Sequence, residues 1–219
     1  MFPPSAPFFC AAHGSPAVGL PAGEAGLRPQ GGRLTGREGR PVRLETERLV
    51  LRRWLPDDVE PLAAILLHPD VLTWVGPPRA DRDDVARALA RYDRHWEAHG
   101  FGRLAIVDRR TGELVGRTGV MREPDWEATA CKDEIGWAIA PCRWGEGIAT
   151  EAATAALRDV FERAGLECVV SFASPANTGS LGVMEKLGFA PGGTTEWKGT
   201  PHVWRSLSAD RFALSAQGA

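Results

Sequence analysis

The segment Trp144-Gly145-Glu146-Gly147-Ile148-Ala149-Thr150-Glu151-Ala152 narrows the fold more than any other part of this chain. It follows a short strand-like run, Asp133-Glu134-Ile135-Gly136-Trp137-Ala138-Ile139, and it opens a stripe of Ala149, Ala152, Ala153, Ala156, Leu157, Val160, Phe161 and Ala164. Steps of three and four residues predict a helix there, and the small side chains allow close packing on a sheet. Cys168-Val169-Val170-Ser171-Phe172 follows as a compact buried-strand candidate. Strand, helix and strand in that order imply a right-handed parallel crossover. At the loop-to-helix junction, the first backbone N–H groups have no intrahelical partner, and the helix dipole adds to their pull on an anion. Glycine there lets a diphosphate approach the main chain. An ordinary glycine turn at a helix start is the plain alternative.

The flanking segments supply a mixed α+β architecture. Leu49-Val50-Leu51-Arg52-Arg53-Trp54 reads as a first strand, and Pro56-Asp57-Asp58 opens a helix with the apolar face Val59, Leu62, Ala63 and Leu66. His68-Pro69-Asp70 interrupts it, and a loop through Trp74-Val75-Gly76-Pro77-Pro78 leads to a second helix marked by Val85, Leu89, Tyr92 and Trp96. Phe101 to Asp108 and Glu113 to Met121 form a hairpin around Thr111-Gly112. Thr178 to Leu187 is a short helix, and a pair of strands ends near Leu207. Apart from the crossover, the sheet is expected to be mostly antiparallel. One domain spanning 44–213 is expected, with a flexible Pro/Gly-rich tail at 1–43 and a short tail at 214–219.

Charge and cysteine usage exclude several classes. A formal net charge of -2 gives no bulk attraction to nucleic acid or to an anionic membrane. The first twenty-three residues contain no Lys, Arg, Asp or Glu, and prolines break them, so no signal core is expected. No apolar run reaches the roughly 18 residues of a membrane helix. The four cysteines, Cys10, Cys131, Cys142 and Cys168, lack a paired spacing and read as free thiols of a cytoplasmic protein. His95 and His99 have the i,i+4 spacing of two zinc ligands, but no glutamate follows His95 and no third ligand is evident, so no metal is expected. The glycine loop also partly imitates a dinucleotide fingerprint, with Glu167 near the place of its acid. Threonine stands for the third glycine, however, and three other strands precede the motif.

Downstream of the glycine loop lie Asn177-Thr178-Gly179-Ser180 and Glu185-Lys186-Leu187-Gly188-Phe189. With Asp133–Ile139 and the glycine loop, they give the chain a region from about Leu44 to Phe212 that resembles the Gcn5-related N-acetyltransferase superfamily. Gly147 and Ala149 match the last two fixed positions of its acetyl-CoA loop. Trp144 departs at the first fixed position, as in the branch of ribosomal-protein alanine N-acetyltransferases. The resemblance implies a seven-stranded mixed sheet, mostly antiparallel and flanked by helices, whose two central strands splay to admit acetyl-CoA. It implies a cofactor site of Trp137, Ile139, Trp144, Gly145, Glu146, Gly147, Ile148, Ala149, Thr150 and Asn177. The pantetheine arm is expected to add to the strand edge at Trp137 and Ile139. It also implies an acceptor pocket lined by the Trp74 loop, and possible dimers.

Acetyl transfer to an amine needs a neutral nucleophile and stabilisation of the departing thiolate. A chain α-amino group has a pKa of roughly 8 and a lysine side chain roughly 10.4, so lysine must give up about 3 units, near 4 kcal/mol, and the α-amino group only about 1 unit. A water-mediated base therefore suffices for an N-terminal amine. Glu134 is the candidate base, with a surface charge or a salt-bridge partner as its plain alternative. Asp133, Asp125 and Glu127 are candidates for an acidic mouth that draws in a cationic amine. No tyrosine stands on the helix where many family members place their acid, so Ser180 is the candidate hydrogen-bond donor to the thiolate or relay from water, with a first-turn helix residue as the alternative. Asn177 fits a helix N-cap as well as a cofactor contact. The acceptor is either a protein N-terminus or a small amine, and a non-catalytic acyl-CoA-binding module stays open beside the enzyme.

Overall fold

The computed structural model describes residues 42–75 and 80–216. Residues 1–41 of the expected tail, Cys10, and Gly76, Pro77 and Pro78 of the expected loop lie outside the described residues. Eight strands, β1 (Arg43–Glu45), β2 (Leu49–Arg52), β3 (Arg103–Asp108), β4 (Leu114–Arg122), β5 (Asp133–Ile139), β6 (Cys168–Ala173), β7 (Ala190–Trp197) and β8 (Thr200–Ser208), form one sheet in the order β1-β2-β3-β4-β5-β6-β8-β7. Every neighbouring pair is antiparallel except β5 with β6. The eighth strand is β1, a three-residue edge in which only Leu44 turns inward. Three residues are too few to mark a strand by their alternation alone, and β1 exists through its pairing with β2.

Helices α1 (Val59–Leu66), α2 (Pro69–Val75) and α3 (Arg82–His99) cover one face of the sheet, and α4 (Ile148–Glu162) packs on the other. Leu62, Ala63, Val71, Val85 and Leu89 pack against Ala138 of β5 on the first face. Ala152, Ala153, Ala156, Leu157 and Val160 of α4 pack with Ile135 and Ile139 on the second. Strand alternation separates the two sets, since even-numbered residues of β5 face α1 to α3 and odd-numbered residues face α4. Two short helices are added at the cavity and at the chain's end, α5 (Thr178–Lys186) and α6 (Ala209–Ala216).

Three differences from the sequence reading have local causes. Pro69 starts α2 instead of merely breaking α1, because proline suits the first turn of a helix, so Trp74 lies on a helix and not in a loop. Helix α6 runs past residue 213, anchored by Phe212 against Phe161 at 5.4 Å between rings. Cys131 and Cys168 are not free thiols: they form a disulfide across 37 residues of chain. Their spacing carries no motif, and only the β5–β6 pairing brings them together.

That pairing is minimal. Strands β5 and β6 share a single register contact, Glu134 with Val170, and then diverge. The disulfide lies at the closed end of this wedge, just before β5 and at the start of β6.

Candidate functional site

A cavity of about 510 Å³ opens where β5 and β6 part. Its first wall is the glycine loop and the start of α4. Gly145 and Gly147 both adopt left-handed backbone, at φ 81° and 80°, a conformation that other residues rarely take. Gly147 caps α4 with no side-chain hydrogen bond, and the first helical bond runs from the Glu151 N–H to the Gly147 carbonyl. The first-turn amides of Ile148, Ala149 and Thr150 therefore have no helical acceptor, and all three residues line the cavity.

The second wall is the free edge of β5. Ala140 donates its N–H to Val115 of β4, so by alternation Trp137 and Ile139 direct their backbone groups to the opposite, unpaired edge. Both line the cavity. Trp144, half exposed at 49%, lies across this edge and donates its indole N–H to the Ile139 carbonyl at 2.8 Å. That carbonyl is thus already engaged on one lone pair. The third wall is α5, where Asn177 accepts the Ser180 N–H at 3.0 Å, and both residues line the cavity. The N-cap role foreseen for Asn177 uses its carbonyl oxygen and leaves its amide NH₂ as a donor. Val71, Trp74 and Val75 of α2 close the side nearest Ala138.

The cavity therefore wraps around one strand edge and has two halves. Trp137, Ile139 and the α4 amides form one half on the α4 face of the sheet. Ala138 and α2 form the other on the opposite face.

Of the residues expected at the site, Trp74, Trp137, Ile139, Trp144, Gly145, Gly147, Ile148, Ala149, Thr150, Asn177 and Ser180 surround the cavity, and Glu134 and Glu146 do not. Glu146 turns back into the scaffold: its carboxylate accepts from Arg143 at 2.9 Å and its carbonyl from Arg48 at 2.9 Å. Arg143 also reaches Asp108, and Arg48 reaches Glu151, which further accepts the Thr46 hydroxyl. Arg48, Arg143 and Glu151 thus tie the glycine loop and α4 to the first strands, a role that no sequence motif advertised.

Glu134 is buried beneath the sheet surface and ion-paired with Arg103, the two side chains 7% and 8% exposed. Arg103 crosses β4 to donate to the carbonyls of Gly119 and Gly136 as well. Gly136 makes room for this: a Cβ there would lie 2.8 Å from the Glu134 carboxylate and 3.0 Å from Arg103. Burial pushes the Glu134 carboxyl above its ordinary range against the opposing pull of Arg103. The salt-bridge reading of Glu134 is thus present in the structure.

His95 settles its own role by its bonds. Its Nε2 accepts the Arg122 N–H at 2.9 Å, so Nδ1 must carry the proton it directs at the Phe101 carbonyl, 2.7 Å away. Burial depresses its pKa to about 4. Among the described residues, no group of three or more His, Cys, Asp or Glu side chains is arranged to hold a metal, and no helix is long and apolar enough to cross a membrane.

The cradle fits a diphosphate: three uncapped amides converge beside left-handed glycines, and Lys186 of α5 lines the same cavity. Relatives agree with this architecture. A sequence model of the acetyltransferase (GNAT) domain matches residues 48–190. The Bacillus subtilis protein YoaA, described as an uncharacterized N-acetyltransferase, is 28% identical over 168 residues, which cover 73% of this chain and 91% of that protein. An acetyltransferase structure from Agrobacterium tumefaciens str. C58 superposes with a TM-score of 0.67 at 28% identity, covering 76% of this chain and 94% of that one. The ribosomal-protein-S5-alanine acetyltransferase of Vibrio fischeri shares the fold with a TM-score of 0.65 at 17% identity, over 78% of this chain and 98% of that one. The match over residues 48–190 spans the wedge, the glycine loop and α5, and the chain belongs to the GNAT acetyltransferase family, whose members use acetyl-CoA.

Proposed function

We propose that this protein is an acetyl-CoA-dependent N-acetyltransferase that transfers the acetyl group by direct attack of a primary amine. The observation that carries the reading is the cavity at the β5–β6 wedge, which joins an uncapped helix start to a free strand edge. The amides of Ile148, Ala149 and Thr150 would hold the diphosphate, and the free backbone groups at Trp137 and Ile139 would take the pantetheine arm. Acetyl-CoA supplies an activated acyl carbon and a thiol leaving group. Ser180, at the first turn of α5, lines the cavity and would donate a hydrogen bond to the departing sulfur. Asn177 adds an amide donor beside it. Trp74 lines the acceptor half. Glu134 receives the amine proton through water, its affinity for that proton increased by burial.

Calorimetry tests the reading directly. Acetyl-CoA should bind with micromolar affinity, NAD(P) should not, and Gly147→Glu should abolish binding while the variant still melts cooperatively. Folded wild-type protein that ignores acetyl-CoA overturns it.

One observation favours a second reading, a non-catalytic acyl-CoA-binding module: Arg143 and Lys186 line the cavity, and Glu134 does not. Binding of acetyl-CoA without turnover of any amine selects this module over the enzyme.

A further inference from the structure

Next to the acceptor half of the cavity, behind its lining residue Ala138, lies a buried cation that forms no ion pair among the described residues. Arg117 of β4 stands opposite Ala138 in the β4–β5 ladder, and Ala138 lines the cavity. Cross-strand neighbours have Cβ atoms roughly 5 Å apart. Arg117 is only 9% exposed, and its Nε has no hydrogen-bond partner. Its guanidinium lies over the ring of Tyr92, 5.9 Å from the centroid. The one carboxylate in the same buried cluster, Glu134, is already taken by Arg103. Two guanidiniums therefore share one carboxylate beneath α3, with Arg91 as a third cation packed on the Tyr92 ring.

A desolvated charge with unmade hydrogen bonds is costly to keep. Burial works against the charged form of Arg117, and the Tyr92 phenol, which burial would raise, is brought below its ordinary value by Arg117, Arg103 and Arg91. Arg91 is exposed, so the buried part of the cluster holds two guanidiniums against one carboxylate, and the planar fork of arginine matches a carboxylate at two points.

We propose that Arg117 is a specificity-determining residue for an acceptor that carries a carboxylate beside its amine, as an amino acid does. The carboxylate would pair with Arg117 on the α2 face of β5, and the amine would then be presented at the strand edge, where the cavity passes from one face of the sheet to the other. The inference rests on the acetyltransferase reading, and it goes further by naming the acceptor class.

The test compares amines that differ only in the carboxylate: a panel of α- and ω-amino acids against their carboxamides, with the full-length protein and saturating acetyl-CoA. A charge-assisted hydrogen bond made to a buried group predicts a kcat/KM advantage of about 10- to 100-fold for the acids. Arg117→Met should erase that advantage, mainly through KM, with acetyl-CoA affinity unchanged by calorimetry and the melting temperature equal to wild type or higher, because it removes an unpaired buried charge. Arg117→Lys should retain part of the preference. Equal turnover of acids and amides by the wild type overturns the proposal, whatever the variants do. So does a failure to acetylate any carboxylate-bearing amine while acetyl-CoA still binds. Loss of acetyl-CoA binding by the wild type would instead remove the acetyltransferase reading itself.

Discussion

At the scale of single residues, the buried polar groups determine how the protein responds to pH. His95 is held neutral by an accepted and a donated hydrogen bond, and its folded pKa of about 4 lies below the ordinary 6.5. Protons therefore bind the unfolded chain first as pH falls. The stability that His95 contributes is complete above pH 6.5 and is lost progressively as pH falls toward 4, with a total on the order of 3 kcal/mol. Denaturant titrations across that window should show this slope, and His95→Gln should flatten it while lowering stability at neutral pH. Glu134 has the opposite sign, its pKa raised by burial. If it accepts the amine proton, kcat/KM should fall as pH drops through that raised value. Glu134→Gln should cost about 100-fold or more in kcat/KM and abolish this acidic limb of the profile. A variant that keeps the limb and loses only melting temperature would leave Glu134 a salt-bridge partner of Arg103. Sequence reading could place Glu134 on a strand but not see Arg103, which comes from 31 positions earlier in the chain.

At the scale of elements, the glycine loop and the wedge depend on parts distant in sequence. The α4 start is fastened by Arg48, which binds both the Glu146 carbonyl and the Glu151 carboxylate. Arg48→Met should weaken acetyl-CoA binding several-fold without changing acceptor preference, read as a calorimetric Kd. The closed end of the β5–β6 wedge is stapled by Cys131–Cys168. Closing a loop of 37 residues contributes about 4 kcal/mol in the chain-entropy account. Under oxidising conditions, Cys168→Ala should lower the melting temperature, and dithiothreitol should lower that of the wild type but not of the variant. A wild type insensitive to the reductant would sink the assignment. The helix and strand periodicities made α1, α3, α4 and the β3–β4 hairpin legible, because each presents a repeating apolar face. Strand β1 and helix α2 were not legible as elements, since three and seven residues hold fewer than two full periods and depend on what they pack against.

At the scale of the whole molecule, the site exists only because the sheet comes apart at one seam. An acetyl-CoA ligand seated there would bridge α4, β5 and α5, elements that otherwise meet around an open cavity. At 100 times its Kd it should stabilise the fold by about 2.7 kcal/mol. For a domain of this size that corresponds to a rise in melting temperature of about 5–10 °C, measurable by differential scanning fluorimetry. No shift with acetyl-CoA would argue against occupancy of the wedge.

By itself, the sequence determined the order of the main strands and helices and the place of the glycine loop at the start of α4, because those follow from local signals: apolar period, turn glycines and the uncapped first turn of a helix. It also located the cavity-lining residues Trp74, Trp144, Asn177 and Ser180, through their position beside those signals. Tertiary structure alone decided the rest. Which cysteines join, which carboxylate meets which guanidinium, and which buried arginine is left without an ion pair all depend on distances between strands, and no local rule in the chain encodes them. Arg117 and Arg103 read alike in sequence. Burial beside a single carboxylate gives one of them an ion pair with Glu134 and leaves the other over the Tyr92 ring.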